Sequence, residues 1–281
     1  MNKPAVLPLS VIVIARNAAR TLARALASVH GWVDEIILVD SGSTDTTLTI
    51  ARQYGCRITF RRFDGFGPQK NHALRLARNP WVLVLDADEE VSGALADELQ
   101  QGFRTWRHHY QGFTVPRNQF FLGRPLRYGG QYRQPVLRIF NRQHGGITPW
   151  LVNEEVIVGG KLLPLQSPLL HYNSATVGEC LDQLNTRITY SAQERIRVRK
   201  KVSLPGQVVC FLAIFFRLFV LQRGYKDGLN GLIWALLSAL EPILEHQKYR
   251  ELVADSNAPR QYTFTLSKPL PRRIWNRRYR N

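Results

Sequence analysis

Four short strand-like segments, three of them mainly apolar, are separated by stretches with helical spacing, and they constrain the fold of this chain more than any other feature. The segments are residues 9–15 (LSVIVIA), 35–39 (EIILV), 57–61 (RITFR) and 81–85 (WVLVL). After the first segment, Leu22, Leu26 and Val29 recur at the interval of one helix face. Strands and helices that alternate in this way build a parallel sheet with helices on both faces. The sequence therefore predicts the α/β class.

The fourth segment is followed directly by two carboxylates, Asp86 and Asp88. Side chains alternate along an extended strand, so both carboxylates are expected on one side of the strand end. Oxygen ligands of this kind suit a hard cation such as Mg²⁺ or Mn²⁺. An Asp-x-Asp alone is more often a solvated turn, but Asp40 also ends a predicted strand. Because open α/β sheets bind ligands at the carboxyl ends of their strands, the combination favours a binding site.

The net charge of +17 over 281 residues indicates a polyanionic partner. Nucleic acid, anionic lipid headgroups and a phosphorylated substrate all satisfy this requirement. The three cysteines are widely spaced and indicate neither a disulfide framework nor a zinc site. The first eight residues lack the basic-then-apolar layout of a signal peptide, so activity in the cytosol is expected.

A long segment without acidic residues follows the predicted sheet. Residues 99–153 contain eight arginines and no Asp or Glu. Arginine side chains bind phosphates and carboxylates well, so we favour an anion-facing surface over a merely solvated one. The candidates for binding an anionic acceptor are Arg117, Arg124, Arg127 and Arg138.

The C-terminal part has helical periodicity from residue 176 onward. Two apolar segments, residues 208–221 and 228–244, are shorter than the roughly 20 apolar residues of a spanning helix. They suit either an interfacial membrane surface or packing against the preceding domain, and the sequence leaves both open. Residues 268–280 contain six basic side chains and no acid, as in an arm that binds anionic lipid.

Four motifs resemble those of a known family, the family 2 glycosyltransferases. They are residues 10–17 (SVIVIARN), 34–45 (DEIILVDSGSTD), 65–71 (GFGPQKN) and 85–89 (LDADE). More narrowly, they are similar to the lipopolysaccharide inner-core β-1,4-glucosyltransferases, as is the C-terminal run at residues 223–231 (RGYKDGLNG). The resemblance covers most of the chain.

The resemblance implies a GT-A type fold, a nucleotide-diphosphosugar donor such as a UDP-sugar, a divalent cation (Mg²⁺ or Mn²⁺) and inversion at the anomeric carbon. It places Asp86 and Asp88 at the metal and the diphosphate, with His171 as a third metal ligand. The remaining donor-binding residues that it implies are Ala15, Arg16, Asn17, Asp40, Lys70 and Asn71.

The resemblance also implies a catalytic base downstream of the arginine-rich segment. The family has a His-Glu pair there, which in this chain is Asn153-Glu154, so Glu154 is the expected base. Its neighbour Glu155 remains an alternative. The expected reaction transfers a hexose, glucose from UDP-glucose in particular, to heptose of the lipopolysaccharide inner core, an anionic glycolipid at the inner face of the bacterial inner membrane.

The resemblance and the composition together predict a division of the chain. Its expected parts are a nucleotide-sugar-binding half (1–98) and an acceptor-binding half (99–175) of one catalytic domain (1–175), a helical membrane-associated region (176–255) and a basic tail (256–281).

Two other functions fit some of these features. A transferase of the same fold could act on a polyprenyl phosphate or a surface polysaccharide. A non-enzymatic nucleic-acid-binding protein would explain the charge of +17, but the chain has no zinc-finger or RNP-type motif. That function also gives no reason for Asp40, Asp86 and Asp88 at successive strand ends, so no specific nucleic acid is expected as a partner.

Overall fold

The structure, a computed structural model, describes residues 6–198 and 204–254. The predicted basic tail at residues 256–281 lies outside the described residues. The same holds for Arg199, Lys200 and Lys201, which follow the first C-terminal helix.

Residues 6–198 and 204–254 form twelve strands and seven α-helices. The strands are β1 (Leu7–Ala15), β2 (Val33–Asp40), β3 (Arg57–Phe60), β4 (Trp81–Val84), β5 (Glu89–Val91), β6 (Gly112–Phe121), β7 (Arg124–Pro125), β8 (Gln134–Asn141), β9 (Gly145–Ile147), β10 (Val156–Val158), β11 (Leu162–Pro164) and β12 (Leu169–Tyr172). The helices are α1 (Ala19–Ala27), α2 (Thr47–Gln53), α3 (Phe66–Leu76), α4 (Gly93–Trp106), α5 (Val177–Arg197), α6 (Leu204–Phe215) and α7 (Gly228–Ala254). A π-helical segment, Phe216–Leu221, continues α6, and a 3-10 turn, Gly224–Asp227, precedes α7.

The large sheet confirms the predicted α/β class. Its strand order is β3-β2-β1-β4-β8-β6-β12-β5, and the first four strands are parallel. Strand β8 then pairs antiparallel with both β4 and β6, so the part of the sheet built after residue 99 is mixed. One continuous sheet thus joins the two predicted halves of the catalytic domain, and it brings β12 beside β5.

Alternating side chains of the central strands form a core on each face of the sheet. In β4, Trp81 and Leu83 belong to the cluster that packs under α1 and α4, while Val82 and Val84 belong to the cluster under α3. This explains why the strands are apolar throughout: a strand covered by helices on both faces buries every side chain.

The C-terminal helices pack against the sheet domain, which was one of the two roles left open by the sequence. The carboxylate of Asp227 accepts hydrogen bonds from the backbone N–H groups of Arg127 (3.2 Å) and Tyr128 (2.8 Å). The Asn230 side chain donates to the carbonyl oxygen of Phe121 at 3.0 Å. These contacts hold the start of α7 on the loops next to β6 and β7.

The outer face of α6 and of the π-helical segment after it is nevertheless apolar and exposed. Val209, Leu212 and Phe216 retain 66%, 59% and 54% of their accessible surface. Among the described helices, no single one has both the length and the apolar composition needed to cross a bilayer. The segments Gly206–Leu221 and Gly224–Ala254 meet the criteria of length and composition only when they are taken together as a pair. The two segments meet at a bend of 68°.

Candidate active site

Polar loops after β1 and β2 are tied together at the carboxyl edge of the sheet. Asp40 is buried, and its Oδ2 accepts the backbone N–H groups of Gly42 (2.8 Å) and Ser43 (3.1 Å). Asn17, which has a positive φ of 50°, accepts the N–H of Thr44 through its Oδ1 at 2.8 Å. Both predicted donor residues therefore shape the loop that would face a nucleotide. Of their predicted neighbours, Ala15 is buried and Arg16 is exposed beside this loop.

The Asp-x-Asp motif is a turn and not the end of an extended strand. Strand β4 ends at Val84, and the N–H of Glu89 donates to the carbonyl oxygen of Asp86 at 2.9 Å. The expected alternation of side chains therefore does not apply, and the two carboxylates have different partners. Asp86 contacts basic side chains from α3 and β8, whereas Asp88 contacts His171.

Lys70 holds two carboxylates from distant parts of the chain. Its Nζ lies 2.6 Å from Asp86 Oδ1 and 2.6 Å from Glu154 Oε1. Burial alone would lower the pKa of Lys70, but the charges of Asp86 and Glu154 raise it above its usual range. Lys70 is therefore a permanent cation that fixes the predicted base next to the turn after β4.

Arg138 and Glu89 extend this cluster. Arg138 Nη2 lies 2.8 Å from Asp86 Oδ2 and also contacts Glu89 Oε1. Burial of Asp86 would raise its pKa, but Lys70 and then Arg138 hold that pKa far below its usual range, so Asp86 is ionised. Arg117 is the third cation, with its Nη1 4.0 Å from Glu89 Oε1. Three cations thus face three carboxylates in this cluster.

Glu89 is a site residue that sequence reasoning passed over. Its side chain is fully buried, and its Oε2 accepts the backbone N–H of Asp86 at 3.1 Å. It therefore both neutralises Arg138 and fixes the turn that carries Asp86 and Asp88. The signal was present in the sequence, since Glu89 is the last residue of the LDADE motif, but an acidic side chain after an Asp-x-Asp suggests a solvated turn.

Asp88 and His171 form a second pair of side chains at the same edge. His171 Nε2 lies 3.3 Å from Asp88 Oδ2, and His171 Nδ1 lies 2.8 Å from Gln119 Oε1. An amide oxygen only accepts, so Nδ1 carries the proton and Nε2 faces Asp88. Burial would lower the pKa of His171, but the charge of Asp88 raises it above its ordinary value. Gln119, buried on β6, was not expected from the sequence.

Asp88 and His171 are two of the three predicted metal ligands, and the structure brings their side chains together. Within residues 6–198 and 204–254, no three His, Cys, Asp or Glu side chains converge to hold a metal ion. The 3.3 Å between Nε2 and Oδ2 is close to the roughly 3 Å between adjacent ligands of an octahedral ion with bonds of about 2.1 Å. Such an ion takes its other ligands from phosphate oxygens and water. Asp86 lies apart from this pair, with Lys70 and Arg138.

The loop that carries Glu154 is held by close backbone packing against α3. The N–H of Gly67 donates to the carbonyl oxygen of Trp150 at 3.0 Å, and that of Phe66 to Leu151 at 2.9 Å. The Asn71 side chain joins α3 to β9, because its Nδ2 donates to the carbonyl oxygen of Ile147 at 2.9 Å. This predicted donor residue therefore fixes the base loop through the backbone.

The predicted arginines occupy two different environments. Arg117 and Arg138 lie in the charge cluster, and both are partly buried. Arg124 and Arg127 are exposed on and beside β7, away from the cluster, and the backbone of Arg127 is held by Asp227. The second pair thus lies on an open surface, and acceptor binding by the four arginines stays a prediction.

Comparison with known proteins identifies the class of enzyme. Residues 10–148 match the family Glycosyl transferase family 2. Over 261 residues the chain is 28% identical to an uncharacterized glycosyltransferase of Rickettsia felis. That alignment covers 88% of this chain and 91% of the relative. Over 249 residues it is 26% identical to the lipopolysaccharide core biosynthesis glycosyltransferase LpsC of Rhizobium meliloti, with 86% and 92% covered. A solved structure of S. aureus TarS with UDP-GlcNAc is 15% identical, with a TM-score of 0.44 and coverage of 92% and 93%.

The mixed sheet, whose first four strands are parallel, and the family match define the class: a GT-A-like α/β fold with C-terminal helices. The chain contains a family 2 glycosyltransferase domain and is a glycosyltransferase. The expected fold, family and kind of enzyme are thereby confirmed.

Proposed function

We propose that this glycosyltransferase moves a hexose, with inversion, from a nucleotide-diphosphosugar to a phosphorylated glycolipid. Glucose from UDP-glucose is the first candidate donor, and heptose of the lipopolysaccharide inner core is the first candidate acceptor. The observation that carries the reaction is the cluster in which Lys70 joins Glu154 to Asp86. The likeness to LpsC supports the lipopolysaccharide-core pathway.

Glu154 is the proposed base of a single displacement. The acceptor hydroxyl oxygen bonds to the anomeric carbon, the hydroxyl proton passes to Glu154, and the bond from that carbon to the diphosphate breaks with its electron pair on the diphosphate. Of the two adjacent glutamates, Lys70 contacts Glu154. Glu155 is exposed, and its N–H donates to Thr148 Oγ1 at 2.8 Å. Both facts support Glu154 over Glu155.

We assign the donor to the loops after β1, β2 and β4. Asn17 and Asp40 shape the loop for the base and ribose, and Lys70 and Arg138 supply positive charge near the diphosphate. A Mg²⁺ or Mn²⁺ ion held by Asp88 and His171 would stabilise the negative charge of the leaving diphosphate as a Lewis acid.

We assign the acceptor and the membrane to the surface formed by β7 and the C-terminal helices. Arg124 and Arg127 are exposed and can pair with acceptor phosphates. The exposed apolar side chains of α6, Val209 and Leu212 among them, suit a helix that lies in the membrane interface. We therefore propose a peripheral position on the cytoplasmic face of the bacterial inner membrane.

The test is a panel of UDP- and ADP-sugars with lipid-anchored core acceptors and with polyprenyl phosphate, assayed by mass spectrometry with Mn²⁺ or with a chelator. The expected product is a core acceptor that carries one added hexose, formed only when Mn²⁺ is present. Transfer to polyprenyl phosphate alone would replace the acceptor assignment. DNA binding that survives Asp88→Asn, without turnover of any sugar nucleotide, would favour the nucleic-acid-binding alternative.

A further inference from the structure

A cavity of about 320 Å³ lies between the loop that carries Glu154 and the C-terminal helices. Val152 and Asn153 line it from the side of that loop, and Asn153 immediately precedes the proposed base. The rest of its described lining comes from α5, α6 and α7 and contains none of Lys70, Asp86 and Asp88. The cavity is thus a separate feature that adjoins the reacting end of the site.

The chemistry of the lining differs from that of the protein as a whole. Among the described residues, three carboxylates and only one cation, Arg195, line the cavity, although the chain has a net charge of +17. Each of them already faces an arginine: the pairs are Glu194–Arg197 (3.7 Å), Glu241–Arg187 (2.8 Å) and Glu245–Arg195 (2.8 Å). These pairs fix the carboxylates in place and neutralise the arginines. The cavity therefore offers hydrogen-bond acceptors to hydroxyl groups and little net attraction for a phosphate.

Apolar side chains complete the lining. Val152, Val198, Ile214 and Pro242 lie among the carboxylates. A sugar ring presents hydroxyl groups at its edge and C–H groups on its faces, and small-molecule sites combine apolar walls with a few fixed polar groups in the same way. The volume suits one or two such rings.

We propose that this cavity is an acceptor subsite that binds an uncharged sugar ring next to the residue being glycosylated. This proposal rests on the proposed function. In it, the acceptor contacts two different surfaces of the enzyme. The hydroxyl-rich ring enters the cavity, while phosphates of the acceptor face the exposed arginines near β7.

Glu194 links the subsite to the base. It is 8% exposed, lines the cavity, and accepts the backbone N–H of Leu151 through Oε2 at 3.0 Å. Leu151 is three residues before Glu154 in the same loop. A sugar bound in the cavity thus rests against the side chain that holds the base loop, which ties correct acceptor binding to placement of the base.

The kinetic test uses two substitutions that introduce the same side chain. Ile214→Trp places a large side chain in the cavity, and Leu181→Trp places it at an exposed position of α5. With a soluble, deacylated core acceptor, we expect Ile214→Trp to raise the ratio of acceptor KM to donor KM roughly tenfold or more, as for loss of a substrate-recognition contact. The Leu181→Trp control is expected to keep the wild-type ratio. An unchanged ratio in Ile214→Trp would overturn the subsite.

A direct binding measurement tests the subsite independently of the proposed sugar transfer. The probe is a methyl heptoside, observed by saturation-transfer NMR with the full chain and without donor. We expect a signal that is lost in Ile214→Trp, reduced in Glu241→Gln, and retained in Leu181→Trp and in Glu251→Gln, whose side chain is on the exposed part of α7. Absence of the signal in the wild type, or an equal signal in all variants, would refute the subsite even if the sugar-transfer panel succeeds. Failure of the panel alone would refute the proposed function.

Discussion

Lys70 contacts two carboxylates of the site that come from distant parts of the chain. It is 4% exposed and joins Glu154, 84 positions away in the sequence, to Asp86 at the turn after β4. Two carboxylates this close repel each other unless a cation lies between them. Lys70 therefore offsets the repulsion between Asp86 and Glu154 and holds the two carboxylates beside each other.

Replacement of Glu154 by Gln tests the base. Gln keeps the size and the hydrogen-bonding capacity of the side chain but cannot take a proton at neutral pH. We expect kcat to fall by roughly 10²–10⁴-fold, the usual contribution of a positioned general base, while the thermal unfolding curve stays close to wild type. The matched control is Glu155→Gln, which should retain most activity. The reverse pattern would assign the base to Glu155.

Replacement of Arg138 by Met tests the buried charge cluster. The change leaves the fully buried Glu89 without its main partner. Removal of one member of a buried ion pair costs about 3–5 kcal/mol, so the free energy of unfolding in urea should fall by that order. The exposed Arg124→Met serves as control and should change it little. The double variant with Glu89→Leu should recover part of the loss, and no recovery would show that Glu89 is not the uncompensated charge.

The pair of Asp88 and His171 leads to a prediction about the metal. Chelation should remove sugar transfer and Mn²⁺ should restore it. Gln119 orients the His171 ring, and loss of such a supporting hydrogen bond weakens metal binding by about 10–100-fold. We therefore expect Gln119→Leu to raise the Mn²⁺ concentration for half-maximal activity by that factor. An unchanged Mn²⁺ dependence in Gln119→Leu, or full activity of Asp88→Asn, would exclude this metal site.

At the scale of elements, the position of the base depends on how closely α3 approaches the loop before Glu154. A Cβ on Gly67 would lie 2.3 Å from the carbonyl oxygen of Thr148 and 2.5 Å from that of Trp150. Real side chains do not tolerate such distances, so only glycine allows this contact. The second glycine of the GFGPQKN motif is thus required for packing, and Lys70 follows three residues later on the same helix.

The substitution Gly67→Ala tests this contact. We expect the loop to be displaced, with a loss of about 1–3 kcal/mol in the free energy of unfolding from overpacking and a lower kcat because Glu154 moves away from Lys70. Gly93 is the matched control: it begins α4, and its Cβ would meet nothing within 4 Å. Gly93→Ala should leave the activity unchanged and stabilise the helix by up to about 1 kcal/mol. Equal behaviour of the two variants in urea unfolding and activity would contradict the packing argument.

The RGYKDGLNG run has an architectural role of the same kind. A Cβ on Gly231 would lie 2.0 Å from the carbonyl oxygen of Gly224, so the 3-10 turn and the start of α7 meet through two glycines. Between them, Asp227 binds the backbone after β7. The motif thus sets how the C-terminal helices sit on the sheet domain, close to the exposed Arg127.

At the scale of the whole molecule, charge is distributed unevenly. The charges near Lys70 are balanced by carboxylates, as are those of the cavity beside α5 and α7. Much of the net charge of +17 must therefore come from elsewhere, and six of the basic side chains fall in residues 268–280. A basic segment of this kind suits the proposed approach of the enzyme to an anionic membrane.

Deletion of residues 268–281 tests whether this basic segment binds an anionic membrane. Each basic side chain near an anionic surface contributes about 1 kcal/mol, so we expect affinity for phosphatidylglycerol-containing vesicles to fall roughly tenfold or more. Donor hydrolysis in solution should be unchanged. Pure phosphatidylcholine vesicles are the control, and binding to them should not depend on the deletion. Equal binding of both chains to the anionic vesicles would exclude the tail as a membrane anchor.

The sequence by itself determined the local features of this protein. Unbroken apolar runs predict strands buried on both faces, and the polar residues at their ends mark the carboxyl edge of the sheet, because periodicity and burial are properties of neighbouring residues. The family motifs at residues 10–17, 34–45, 65–71 and 85–89 correctly indicated a family 2 glycosyltransferase.

Only the tertiary structure decided which charges meet. The sequence could not show that Arg138 faces Asp86 and Glu89, that Gln119 supports His171, or that the Asp-x-Asp turns instead of continuing the strand. Each of these contacts joins residues far apart in the chain or depends on a turn fixed by a buried Glu89. The physical reason is that a charged side chain is stable in the interior only beside a partner, and that partner is supplied by the arrangement of strands in the sheet and not by sequence neighbours.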